Sequence, residues 1–312
     1  MAWMIGLDEA GYGPNLGPLV IGATAWRVDD LAVTADLYQQ LDSAVTREPD
    51  GERIALADSK QLYKPGGGLA LLERGVLPAI EPASSWSRLV DLLSADPSGC
   101  RRQLPWHEGF DLELPVDAEA GETAELRSRL QECCGDGAVE PPIVRARLVF
   151  PAEFNELVDR YGTKGAALSH VTLGLLRCLR ERTEGRAVCV LDKHGGRNRY
   201  AALLQHHFAE HWIETIEESR PLSRYAWGQA EERTEVSFRT GGEAFLPTAL
   251  ASMTAKYLRE LSMHAFNAFW RTHLPGLRPT AGYPVDAKRF KAEIDPKRAA
   301  LGIDDHLLWR TR

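Results

Sequence analysis

The chain has 312 residues, 44% hydrophobic and 26% charged, with 44 acidic against 37 basic side chains and a net charge of -7. That composition suits one large domain or two small ones, and the acidic balance argues against non-specific coating of DNA, though not against a nucleic-acid enzyme whose metal-binding carboxylates add negative charge. Five cysteines without paired metal spacing (Cys100, Cys133, Cys134, Cys178, Cys189) fit a reducing cytoplasm; with no signal-peptide pattern and no apolar run long enough for a bilayer, the expected location is cytoplasmic, with no membrane association.

The first element is an apolar run, Trp3 to Leu7, that reads as a strand and ends in two adjacent carboxylates, Asp8 and Glu9. Acidic residues are uncommon inside strands. Either one faces solvent while the other closes the strand end, or the pair belongs to a site. The glycines that follow, Gly11, Gly13 and Gly17, favour the second reading, because glycine lets backbone approach a ligand closely. Leu19 to Ala25 is a second strand, completing a hairpin.

Leu31, Val33, Leu37, Leu41 and Val45 recur at helical spacing. Asp58 or Ser59 is placed to cap a helix, but Pro65-Gly66-Gly67-Gly68 intervenes, so the helix proper is expected over Leu69 to Leu77. The segment 84–142 reads as a peripheral insertion, with a strand and turn over Trp86 to Leu93, a surface histidine at His107 and a helix over Ala124 to Cys134. Pro142 to Val149 reads as a strand, and Glu153 to Arg160 and Ala166 to Arg182 as helices. Leu168, Val171, Leu175, Leu176 and Leu179 make a core stripe on the second helix.

Ala187 to Leu191 is uniformly apolar, the mark of a strand buried on both faces, and it ends at Asp192. Open α/β sheets place ligands at such strand ends. A helix over Leu203 to His211, strands over Ile213 to Glu217, Ser223 to Trp227 and Glu235 to Phe238, and the turn Gly241-Gly242-Glu243 follow. Pro247 to His273 carries the longest helical pattern, stopped by Pro275 and Gly276. There is no internal repeat.

The order of these motifs resembles the type 2 ribonuclease H family, ribonucleases HII and HIII. The family's Asp-Glu-x-Gly-Arg-Gly-Pro is similar to Asp8-Glu9-Ala10-Gly11-Tyr12-Gly13-Pro14, and its Gly-Pro-Val to Gly17-Pro18-Leu19. Asp-Ser-Lys-x-Leu matches Asp58-Ser59-Lys60-Gln61-Leu62, and the strand carrying the third acid matches Val190-Leu191-Asp192. Gly242-Glu243, Pro247, Ala251-Ser252 through Lys256, and Gly282-Tyr283-Pro284 complete the series across nearly the whole chain.

The resemblance implies an α/β ribonuclease H-like fold: one domain over 1–312, its mixed central sheet flanked by helices. To this it adds the inserted segment 84–142 and a C-terminal helical extension, 274–312, in contact with substrate. It implies that Asp8, Glu9, Asp192 and Glu243 are catalytic and hold two divalent ions, Mg2+ or Mn2+, which prefer hard oxygen ligands. It implies an endonuclease that cuts the RNA strand of RNA/DNA hybrids, or ribonucleotides embedded in duplex DNA, leaving 3′-hydroxyl and 5′-phosphate ends, with no obligatory protein partner. Gly11, Tyr12, Gly13 and Tyr283 then stand where the ribose is read, and Ser59, Lys60, Ser252 and Lys256 where phosphates are met.

Departures accompany the match. Tyr12 replaces the family's arginine, with Arg197 or Arg199 as substitute cations. Glu243 replaces an aspartate across a one-residue gap, so Glu260 is the alternative fourth acid. Val285 replaces a threonine, and Thr280-Ala281 a His-Lys pair. The competing readings are a nuclease of the same fold with another substrate and a non-catalytic nucleic-acid-binding protein.

Overall fold

The structure is a computed structural model that describes residues 1–29, 36–64, 66–95, 104–135 and 137–311. It opens with β1 (Ala2–Ala10) and β2 (Leu19–Val28), paired antiparallel. Then come α1 (Leu37–Gln40), the short strands β3 (Val45–Thr46) and β4 (Ile54–Ala55), and the helices α2 (Ser59–Leu62), α3 (Ala70–Val76), α4 (Trp86–Leu93) and α5 (Ala120–Cys134). Next are β5 (Ile143–Val149), α6 (Pro151–Tyr161), α7 (Lys164–Arg180), β6 (Ala187–Asp192) and α8 (Ala201–His207). The chain ends with β7 (Glu214–Glu218), β8 (Leu222–Trp227), β9 (Thr234–Arg239), α9 (Leu246–His273) and α10 (Pro284–Ala300).

Seven strands form one mixed sheet in the order β5-β2-β1-β6-β9-β8-β7. β1, β6 and β9 run parallel, while β2, β5 and the β7–β8 pair add antiparallel strands at the two sides. Alternation along β1 splits the core. Ala2, Met4 and Ala10 pack on the face covered by α9 and the small helices, whereas Ile5 and Leu7 pack on the face covered by α6, α7 and α8. The expected mixed sheet flanked by helices is therefore present.

Two strand glycines explain how closely α9 lies on the sheet. A Cβ on Gly6 would stand 2.1 Å from the Thr248 backbone nitrogen, and one on Gly22 2.1 Å from the Ala251 carbonyl oxygen. The bare strand surface lets the helix backbone touch it. The Thr24 hydroxyl donates to the Pro247 carbonyl at 2.7 Å, and the Thr248 hydroxyl to the Val190 carbonyl at 3.1 Å. These bonds fix where the first turn of α9 meets β2 and β6.

Three expectations need correction. Trp86 to Leu93 is helix α4, not strand and turn: Trp86, Leu89, Val90 and Leu93 are its buried face, and the Ser85 hydroxyl caps it by accepting from the Arg88 N–H. His107 is buried, its ring edge-on to Trp86, Trp106 and Phe150, so it belongs to the core and not the surface. The helix expected from Leu31 to Val45 is limited to Leu37–Gln40, with Val45 in a short strand; Leu31 and Val33 lie outside the described residues. Among the described residues, no helix is long and apolar enough to cross a membrane.

Candidate active site

Parallel pairing carries the carboxylates to one edge. β1 and β6 pair in parallel with Leu7 opposite Leu191, so the next residues, Asp8 and Asp192, stand side by side near the C-terminal ends of the two strands. β9 runs parallel to β6 with Arg239 opposite Asp192, and the turn after β9 delivers Glu243 to the same edge. Gly241 makes that turn in the left-handed region, at φ +72°, a conformation that glycine adopts without steric cost. The backbone N–H groups of Lys193, Gly242 and Gly241 lie near the Asp192 carboxylate and act to lower its pKa.

The four acids act on one another electrostatically. Asp8 is buried, which is the largest reason its pKa is pushed up to about 7; Glu243 and Asp192 add to the rise, while hydrogen bonds from the Ser252 hydroxyl and the Glu9 N–H oppose it. Glu9 is pushed up to about 8 by burial and then by Asp8, Asp192 and Glu243, against the Lys60 ammonium. Burial also raises Asp192 and Glu243. A group of carboxylates that resists ionisation in this way lacks compensating positive charge once it is ionised.

Among the described residues, the His, Cys, Asp or Glu group with three ligand atoms all within 4.8 Å of one another is His170, His206 and His207. The four carboxylates are therefore more widely spread. A pair of ions about 4 Å apart takes a wider ring of ligands than a single ion does. An all-oxygen, all-acidic donor set of this kind fits Mg2+ or Mn2+.

Lys60 is the cation turned toward the acids. It lies exposed on α2, whose N-cap is the Asp58 carboxylate accepting from the Lys60 N–H. Desolvation lowers its pKa, but Asp58, Asp8, Glu243 and Asp192 outweigh it and the net shift is upward. Ser59 and Ser252 are both buried, with their hydroxyl oxygens 3.1 Å apart. Ser252 thus links α2 to Asp8 from behind.

Lys256, expected to meet phosphate, is engaged elsewhere. Its ammonium donates to Glu260 at 2.6 Å and lies 4.2 Å from the centre of the Tyr63 ring. Glu260 also accepts from the Tyr63 hydroxyl at 2.9 Å. Burial would raise the Glu260 pKa, but Lys256, Arg259 and Tyr63 together hold it below the usual carboxylate range. Glu260 is a compensated ion-pair partner, and the acid that faces Asp8 and Asp192 is Glu243.

The glycine loop and the Gly-Tyr-Pro segment meet at the same end of the molecule. The Asn15 N–H donates to the Gly282 carbonyl at 2.8 Å, and Tyr283 is 52% exposed beside this contact. Gly11 has φ +84°, and a Cβ there would stand 2.4 Å from Nε of Arg259. The buried Arg259 donates through Nη2 to the Ala281 carbonyl at 2.8 Å, so one side chain supports both segments. Its only sequence signal is its spacing from Ser252 and Lys256 on α9. The Tyr12 hydroxyl turns toward Gly195 and Gly165, where Cβ atoms would lie 3.4 and 3.6 Å from it. Burial and then Glu9 raise its pKa. Gly13 is exposed, with open space about its Cα. Arg199 is 89% exposed on the side chain and reaches toward Glu218 at 3.7 Å. The Arg197 charge bears on His194, Tyr200 and His170.

No protein-family model and no curated protein matches the chain. Among solved structures it is similar to ribonuclease H2 from Pyrococcus horikoshii OT3, with 17% identity and TM-score 0.48 over 98% of this chain and 92% of that one. It is also similar to a structure of the PCNA–RNase HII complex from Archaeoglobus fulgidus, with 15% identity and TM-score 0.43 over 99% and 94%. A third is Bst-RNase HIII in complex with Mn2+, with 14% identity and TM-score 0.43 over 99% and 66%. These are distant likenesses of fold, and a functional reading rests on the residues of the site.

Proposed function

We propose that this chain is a metal-dependent endoribonuclease that hydrolyses the RNA strand of RNA/DNA hybrids, or ribonucleotides embedded in duplex DNA. The observation that supports this most is the gathering of Asp8, Glu9, Asp192 and Glu243 at one sheet edge, their pKa values raised by burial and by one another. Such an edge suits cations followed by a phosphodiester.

Asp8, Glu9, Asp192 and Glu243 would hold the two ions. The chemistry that bound divalent ions supply is charge stabilisation of the attacking and leaving oxygens in an in-line displacement. The protein's own part is positioning. Ser252 and the Glu9 N–H orient the Asp8 carboxylate, and three backbone N–H groups favour the ionised form of Asp192. Lys60, exposed and facing the acids, is placed to meet a substrate phosphate. The Gly11–Gly13 backbone and the exposed Tyr283 ring offer polar and stacking surfaces to a ribonucleotide. Carboxylates on a bare protein would repel each other and cost stability, which weighs against a purely structural role for the cluster.

The test is Mg2+- or Mn2+-dependent cleavage of three duplexes: all DNA, DNA with one embedded ribonucleotide, and a hybrid with an RNA stretch. Cleavage of a ribonucleotide-containing duplex that is lost in Asp8→Asn and Asp192→Asn is the expected result. No cleavage of either ribonucleotide-containing duplex, or full activity in both variants, overturns the assignment.

A further inference from the structure

A second cluster lies on the face of the sheet opposite α9. His170 projects from α7, and His206 and His207 end α8. Their ligand nitrogens all fall within 4.8 Å of one another. The three rings form a near-equilateral triangle, with centres 5.3 Å apart for His170–His206, 5.2 Å for His170–His207 and 5.1 Å for His206–His207.

That spacing has a simple geometric meaning. An imidazole whose nitrogen sits about 2.0–2.1 Å from a tetrahedral ion has its centre about 3.2 Å away, so three such rings stand about 5.2 Å apart. The same geometry separates donor nitrogens by about 3.3 Å. Nδ1 of His170 and Nε2 of His207 are already 3.1 Å apart.

We propose that His170, His206 and His207 form a transition-metal site, of the class that takes Zn2+, separate from the carboxylate edge. Three imidazoles with a fourth, open position are a zinc donor set, whereas Mg2+ and Mn2+ prefer oxygen. The surroundings of two of the rings favour the neutral form that offers lone pairs: burial lowers His170, helped by His206, Arg197 and Arg160, and lowers His207 to about 4, helped by His170, His206 and Arg177. Tyr161 stacks on His170 at 3.8 Å and fixes its plane. The carbonyl end of α8 also favours a cation. The arginines act against a dication, so ligation by nitrogen has to supply the affinity.

An ion there would staple α8 to α7. Between β6 and α8 runs the segment 193–200, which starts at the residue after Asp192 and holds Gly195 and Gly196, both at positive φ. The staple would fix the far end of that segment.

The experiment uses the full chain, prepared without a polyhistidine tag, stripped with chelator and dialysed against Zn2+ in excess Mg2+. Protein-bound zinc is then measured by atomic emission. One zinc per chain is expected in the wild type and in Asp192→Asn. Loss is expected in His206→Gln, a substitution at an exposed position, and in His207→Gln. Far-UV circular dichroism checks that both variants fold. In wild type, Co2+ in place of Zn2+ should give the intense visible bands of a four-coordinate ion. No zinc on the wild type would mean that the imidazoles only share a proton, and would overturn the proposal. So would zinc retained in His206→Gln, or zinc lost in Asp192→Asn, which would place it on the carboxylates.

Discussion

Replacing Asp8 with asparagine should have opposite effects on stability and on activity. In the metal-free protein the Asp8 pKa is about 7, against 3.8 when unperturbed. The folded state therefore holds more protons than the unfolded chain between those values. Stability falls as pH rises through that window, and the loss is complete above about 7. A shift of about three units corresponds to roughly 4 kcal/mol at 1.36 kcal/mol per unit, an upper bound because Glu9 shares the same burial and repulsion. Asparagine keeps an oxygen to accept from the Glu9 N–H, now 2.8 Å away, and from Ser252. Asp8→Asn should thus be about 2 kcal/mol or more stabler than wild type in chelator at pH 8, about half that bound, and no stabler at pH 4. Urea denaturation at pH 4, 6 and 8 measures this. Adding Mn2+ should raise the stability of wild type more than that of the variant, while cleavage disappears only in the variant. A variant no stabler than wild type at pH 8 in chelator would refute the claim that this edge carries uncompensated charge.

Four other substitutions test parts of the structure. Glu243→Gln should abolish cleavage with little change in folding, whereas Glu260→Gln should keep cleavage and cost roughly 3 kcal/mol by stranding Lys256 and Arg259; duplex cleavage and urea midpoints measured side by side decide, and the reverse pattern would reassign the fourth acid. Gly22→Ala drives a Cβ to 2.1 Å from the Ala251 carbonyl and should cost about 3 kcal/mol or more; an unchanged urea midpoint would refute the tight seat of α9. The Glu73 carboxylate is fully buried and accepts from the N–H groups of Val116, Asp117 and Ala118 and from the Tyr257 hydroxyl, so Glu73→Ala should cost roughly 3 kcal/mol and expose the segment around 116–118 to limited proteolysis.

The sheet and its acids were legible because burial leaves a coarse mark. A strand covered on both faces must be apolar throughout, so Ala187 to Leu191 announces itself and Asp192 stands out at its end. The same contrast marks Asp8 and Glu9. Strand order is what local pattern does not carry. That Leu7 lies opposite Leu191, so that two carboxylates 184 positions apart stand side by side, is a consequence of parallel pairing between distant segments. Helix α4 shows a different limit. Its buried residues keep helical spacing, yet over eight residues an apolar run with Trp86 and Val90 reads equally well as strand, and the Ser85 cap decides it. His107 has no local signal, since its ring is enclosed by Trp86 and Phe150 from elements far along the chain.

The site's polar helix face marks the boundary between what spacing can say and what partners decide. Ser252, Lys256 and Glu260 follow one another at intervals of four on α9, so a sequence places them in one row. It does not say whether each faces substrate or protein. In the fold, Ser252 steadies Asp8, and Lys256 is neutralised by Glu260 and covered by Tyr63. Of the two lysines proposed to meet phosphate, Lys60 is the one whose charge bears on Asp8, Asp192 and Glu243. Tyr12 yields to the same logic. Its hydroxyl turns inward toward Gly195 and Gly165, and a guanidinium lies beneath the loop, where Arg259 fills the space left by the missing side chain of Gly11 and holds the Ala281 carbonyl. The glycine at position 11 therefore serves two ends at once: a left-handed turn at φ +84°, and room for the cation that joins the loop to the segment carrying Tyr283.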